Sequence, residues 1–221
     1  MRIVKYIKNS LLDFPAHIAT IAFTPGCNFH CWYCYNESLI NQKTDVTQEF
    51  LNYLDSRKGW IDGVVLCGGE PTLQSDIVNF IDTIKTKGFD VKLDTNGTSP
   101  EVLSSLIEKK LLDYIAMDVK APFEKLNAMV GVEVDTKKLS RSMEIIKTSG
   151  VKHEFRTTVT PDLTVDDIIV LASLVGNEST YFLQPYQKPV LSRNYPEPLK
   201  IETLQKYEQI AKNYAQNVKL R

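Results

Sequence analysis

The chain has 221 residues, and its 26 Lys+Arg against 27 Asp+Glu leave a formal charge of −1 with the three His neutral. With 43% hydrophobic and 24% charged residues, 10 Gly and 10 Pro, its composition is that of a folded domain, which excludes a disordered, collagenous or coiled-coil chain. The even charge also excludes the class of protein that binds nucleic acid through phosphate neutralisation alone.

Along the chain, residues 1–12 mix Arg2, Lys5 and Lys8 with apolar residues and lack the apolar segment and cleavage site of a signal peptide. The longest apolar runs, at 18–23 and 168–175, fall far short of the roughly 18 residues that span a bilayer. A cytoplasmic protein with no membrane association is therefore expected. Short β-branched runs predict strands at 18–23, 64–67, 91–95, 114–118, 153–159 and 181–184. Between them, apolar residues recur at helical spacing: Phe50, Leu51 and Leu54, then Ile77, Phe80, Ile81 and Ile84, then Val102, Leu103, Leu106 and Ile107. Gly88 and Gly150 stand where helices should stop, and Thr47, Ser75, Ser99 and Thr164 are candidate N-caps. Six βα repeats call for an α/β fold, a parallel sheet with helices outside. Six strands are too few for eight-stranded closure, so a partial, open (βα)6 TIM-like barrel is predicted. It forms a single domain over 1–221, with its core over about 16–187. A loop over 187–198, with Pro189, Pro196 and Pro198, then precedes a last helix at about 201–216.

Three of the four cysteines crowd together as Cys27, Cys31 and Cys34, directly after the first predicted strand. In a reducing cytosol such a cluster binds metal more often than it forms disulfides. Zinc normally takes four protein ligands, and the candidates for the fourth are His30, in the same loop, and the distant Cys67. A [4Fe–4S] cluster held by three thiolates leaves one iron open to an external ligand. The spacing leaves both readings open.

Cys27, Cys31 and Cys34, with aromatic Tyr33 before the last, resemble the C-x3-C-x-aromatic-C motif of the radical S-adenosylmethionine (SAM) enzymes. Gly68-Gly69-Glu70-Pro71, at the end of the next strand, resembles that superfamily's GGE element. Leu93-Asp94-Thr95-Asn96-Gly97, Met117-Asp118-Val119-Lys120 and Phe155-Arg156-Thr157-Thr158 resemble segments of glycyl-radical-enzyme activases, above all the activating proteins of anaerobic ribonucleoside-triphosphate reductase. Lys8-Asn9-Ser10-Leu11-Leu12-Asp13-Phe14-Pro15 resembles the segment before their first strand. The likeness runs from about residue 3 to about residue 187.

Apart from residues 8–15, these motifs fall at or near the C-terminal ends of predicted strands, where a βα barrel gathers its functional site. The resemblance implies a [4Fe–4S] cluster on Cys27, Cys31 and Cys34, with SAM bound at the open iron. Glu70 and the Gly68–Gly69 backbone suit the SAM ammonium, and Lys120 and Arg156 suit its carboxylate. Tyr33 suits the adenine and Gln187 the ribose, and Asp94 and Asn96 complete the expected cofactor contacts. Asp94 and Asp118 are two carboxylates that are costly side by side without a cation, and in some activases the resemblance implies a monovalent ion there. Trp32 and Tyr35 are expected to shield the cluster, Tyr35 standing where the family often has His. Cys67, His17 and His153 are expected to be structural, and Cys67 alone cannot support a second cluster. The implied chemistry takes an electron from flavodoxin or ferredoxin, cleaves SAM and removes a hydrogen atom from a glycine of a partner, anaerobic ribonucleotide reductase. The alternatives are an activase for another glycyl-radical enzyme and a small-molecule enzyme resembling 7-carboxy-7-deazaguanine synthase.

Overall fold

The computed structural model describes residues 1–188 and 195–221. The predicted loop at 187–198 therefore falls partly outside the described residues, Pro189 included. The strands, in one sheet, follow chain order from β1 to β8, and the residues group into two compact units.

The first unit comprises Met1–Asn28, Asn36–Ala116 and Lys137–Lys152. It contains β1 (Lys5–Ser10), β2 (Ala19–Thr24), β3 (Gly63–Gly68) and β4 (Asp90–Thr95). β2 runs parallel to β3, with Ile21 opposite Val65, and β3 runs parallel to β4, with Val64 opposite Val91. Every residue of β2 is buried, the pattern of a parallel strand covered on both faces. The helices are α1 (Glu37–Ile40), α2 (Thr47–Ser56), α3 (Ile77–Thr86), α4 (Pro100–Glu108) and α6 (Thr136–Thr148), whose first residue belongs to the second unit. α3 buries Ile77, Phe80, Ile81 and Ile84, the stripe its sequence predicts, and Gly88 follows it at φ +93°. Val4, Phe14, Ile21, Phe23, Val65 and Tyr114 are among the core residues, and Cys67 packs against them.

The second unit comprises Phe29–Tyr35, Met117–Thr136 and His153–Arg221. β5 (Tyr114–Asp118) and β6 (Lys152–Val159) each enter it from the first unit. β7 (Thr180–Pro185) and β8 (Asn217–Leu220) follow, with β6, β7 and β8 mutually parallel. Its helices are α5 (Phe123–Val130), α7 (Val165–Val175) and α8 (Ile201–Ala211). Thr164 caps α7 in a capping box with Asp167.

The six predicted strands are all present, within two residues at each end. Two further strands were not predicted. β1 is antiparallel to β2 and largely exposed; its lysines disguise it and also protect a sheet edge from further pairing. β8 lies beyond α8, which stops at Ala211, short of the predicted helix end. Thr47 and Ser75 sit one residue away from the N-cap positions of their helices, while Ser99 occupies that of α4. No helix among the described residues is long and apolar enough to cross a membrane.

Candidate active site

In the first unit the glycine pair is dictated by close approach of backbones. Gly69 N–H donates to the Thr24 carbonyl at 2.9 Å and Glu70 N–H to the Gly26 carbonyl at 2.8 Å, so the turn after β3 lies on the chain leading into Cys27. A Cβ on Gly68, at φ +115°, would lie 2.4 Å from Thr24 N, and one on Gly69 would lie 1.8 Å from the Gly26 oxygen. No other residue fits either position.

Glu70 is 1% exposed. Its Oε1 accepts from Thr72 N–H (3.1 Å), Thr72 Oγ1 (2.6 Å) and Thr95 Oγ1 (2.7 Å), and its Oε2 accepts from Asn96 N–H (2.6 Å). Burial pushes its carboxyl up in pKa, and although these four donors pull it down, the net direction is upward. The sequence assigned this carboxylate to an ammonium. The structure gives it four of the chain's own donors, which tie the GGE turn to the end of β4. The neighbouring Asp94 is paired with Lys92, which is 1% exposed and lies over the Tyr114 ring at 5.9 Å.

In the second unit, Cys31 and Cys34 are linked by a turn, with Cys34 N–H donating to the Cys31 carbonyl at 3.1 Å. His30 N–H donates to the Val130 carbonyl at 2.7 Å, and a Cβ on Gly131 would lie 3.0 Å from the His30 oxygen. The end of α5 thus holds this stretch of the cysteine loop. Asp118 accepts from Lys120 Nζ at 3.1 Å and from Arg156 Nε at 3.0 Å. Burial would raise its pKa, but the two cations outweigh that and hold it down to about 2. Lys120 is held well above its ordinary value: burial would lower it, and Asp118 foremost raises it. Burial pushes the Cys31 thiol up, and Lys120 opposes this. Asp94 is thus paired with Lys92, and Asp118 with Lys120 and Arg156.

Tyr33 is buried, its hydroxyl has no partner, and burial raises its pKa. Trp32 meets Tyr33 and Tyr186 edge-on at 5.4 and 5.3 Å and stacks on Tyr195 at 6.1 Å. Tyr35, expected to shield the loop, is 84% exposed and cannot do so, and Gln187 is exposed as well. The two histidines expected to be structural both have partners. His17 contacts Asp90 and the Pro15 carbonyl, and His153 contacts Ser179. Sequence reasoning missed Lys92, set between Asp90 and Asp94 on β4, and Asn28, Thr95 and Tyr186, whose roles depend on contacts between distant segments.

The donor set fits an iron–sulfur cluster better than a structural zinc site. It offers three thiols on one loop, with Cys67 packed against the core rather than presented as a fourth.

The sequence model of the Radical SAM superfamily matches residues 21–175. A protein of Methanocaldococcus jannaschii with the provisional name glycyl-radical enzyme activating enzyme is 36% identical over 224 aligned residues, covering 96% of this chain and 92% of its own. A second protein of that organism, of the same provisional name, is 29% identical and covers 88% and 77%. Among solved structures, Streptococcus suis SuiB bound to S-adenosylmethionine superposes with a TM-score of 0.69 over 91% of this chain at 16% identity. That likeness concerns the fold, and this chain spans 51% of the SuiB chain.

Proposed function

Because this chain belongs to the radical SAM superfamily and is a radical SAM enzyme, we propose that it is a glycyl-radical-enzyme activase. The partner that receives the radical is anaerobic ribonucleoside-triphosphate reductase, and reduced flavodoxin or ferredoxin is the electron donor. The observation that carries this reading is the 36% identity, along nearly the whole of both chains, to the M. jannaschii protein that bears the provisional activating-enzyme name. The family implies a [4Fe–4S] cluster and SAM, for which Cys27, Cys31 and Cys34 are the ligands. When bound, the cluster would supply the electron for reductive cleavage of the SAM sulfonium, and so the radical chemistry by which a glycine hydrogen atom would be removed.

The chain's own residues bind and orient. Lys120 opposes the burial that raises the Cys31 thiol, and so works against the loss of the thiolate that ligates iron. Lys120 and Arg156, drawn together on Asp118, offer cations to the SAM carboxylate. The Tyr33 hydroxyl, buried without a partner, gains one from the bound nucleoside, and Gln187 reaches the ribose from the end of β7. Gly68, Gly69 and Glu70 hold the chain on the near side of Cys27, and Asp94 borders the nucleoside.

Cys31→Ala should abolish both the visible absorbance of the reconstituted cluster and SAM cleavage, while Cys67→Ser should retain both. Loss of the cluster in Cys67→Ser would overturn the ligand assignment.

A further inference from the structure

Cys27 stands between two residues that the first unit holds in place. On one side, Gly26 donates its N–H to the Ile40 carbonyl at 2.9 Å and accepts from Glu70 N–H at 2.8 Å. On the other side, Asn28 is fastened through its side chain. Asn28 Nδ2 donates to Thr98 Oγ1 at 2.9 Å, Thr98 Oγ1 donates to Asn96 Oδ1 at 2.7 Å, and Asn96 Nδ2 donates to Asn28 Oδ1 at 2.8 Å. Three side chains close a ring in which each gives one hydrogen bond and takes one.

The direction of the ring is set by a group that can only donate. Thr98 N–H reaches Asn96 Oδ1 at 3.0 Å, which identifies the oxygen end of that amide; its nitrogen end must then face Asn28, whose oxygen must face back. The ring is anchored in the interior, because Asn96 N–H donates to the buried Glu70 carboxylate at 2.6 Å. Asn96 therefore has both ends of its side chain committed to protein, at a position the sequence assigned to the cofactor.

We propose that Asn28, Asn96 and Thr98 are positioning residues for the cluster: their ring fixes the backbone on the far side of Cys27 so that this thiolate is presented to iron. The inference rests on the reading of Cys27 as a ligand. Neither Asn28 nor Thr98 touches SAM or iron in this account. Their effect is on how firmly the cluster is held.

The test uses the full-length protein reconstituted anaerobically, with the rate of iron loss to a ferrous chelator as the readout and circular dichroism to verify folding. Thr98→Val keeps the shape of the side chain and removes the hydroxyl. It should release iron about fivefold faster, the equilibrium weight of roughly one net hydrogen bond. Thr98→Ser restores the hydroxyl and should match the wild type. Asn28→Ala, at an exposed position, should behave like Thr98→Val. One break opens the ring, so the double variant should be no worse than either single variant. Iron loss at the wild-type rate in Thr98→Val would overturn the proposal. So would a Thr98→Ser as leaky as Thr98→Val, or multiplying effects in the double variant. Cys27→Ala separates the two layers of the argument: cluster retention there would overturn the ligand reading itself, whatever the ring variants do.

Discussion

Glu70 and Asp118 both stand at the ends of strands, yet their surroundings solve the burial of a negative charge in different ways. Glu70 is surrounded by neutral donors from Thr72, Thr95 and Asn96. Asp118 is held by two cations, Lys120 and Arg156. The buried side-chain atoms without partners among the described residues, the hydroxyls of Tyr33, Thr160 and Tyr186, all belong to the second unit with Asp118. A buried unpaired hydroxyl costs free energy that a ligand can recover. The surroundings of Glu70 are therefore finished as folded, whereas the second unit carries cations and unsatisfied hydroxyls that suit an anionic, polar ligand. This contrast is open to experiment at both carboxylates.

The largest effect is expected at Glu70. Glu70→Gln replaces an acceptor surrounded by donors with an amide that turns a donor toward them. It should lower unfolding free energy in urea by about 3 kcal/mol, the loss of one to two hydrogen bonds to a charged acceptor. A loss below about 1 kcal/mol would show that the carboxylate is not the structural centre described. Lys120→Met should leave the fold in place but weaken SAM binding to the reconstituted protein about tenfold, or about 1.4 kcal/mol, by titration calorimetry. Unchanged affinity would erase the contrast between a finished region and a receptive one.

Smaller and of opposite sign is the effect expected at the aromatic hydroxyls. Tyr33→Phe and Tyr186→Phe should each stabilise the apo-protein by about 1 kcal/mol, because each removes a buried group with no partner. Destabilisation would mean the hydroxyls are already satisfied. The smallest effect belongs to His17. Burial alone would lower its pKa, but the Pro15 carbonyl and Asp90 outweigh this and raise it. A raised folded value means that the stabilisation is complete below the ordinary His pKa of about 6.5 and is lost as pH rises through the folded value. His17→Gln should remove this pH dependence, a change of about 0.5 kcal/mol for a partly exposed pair, visible in melting curves from pH 6 to pH 8.

What was legible in one dimension follows from the physics of each element. Strands buried on both faces, such as β2, announce themselves as runs of small, β-branched and apolar residues without a charge. The exposed β1 reads Lys-Tyr-Ile-Lys-Asn-Ser and does not. The cysteine spacing and the GGE element were readable because local spacing along the chain fixes them. The role of Glu70 was not, because its donors come from Thr72, two residues away, and from Thr95 and Asn96, more than twenty residues away. Lys92 and the Asn28–Asn96–Thr98 ring were hidden for the same reason. Tyr35 illustrates the reverse error: an aromatic beside the third cysteine suggests a shield, and only coordinates reveal that it faces solvent.

The most direct test of the central claim is an electron paramagnetic resonance spectrum of the reconstituted, reduced protein mixed with SAM and the anaerobic ribonucleotide reductase of the same organism. The account predicts a glycyl-radical doublet that requires SAM and the reductant and is absent with Cys31→Ala. A cluster signal that SAM perturbs, without any doublet, would contradict the assignment of that partner.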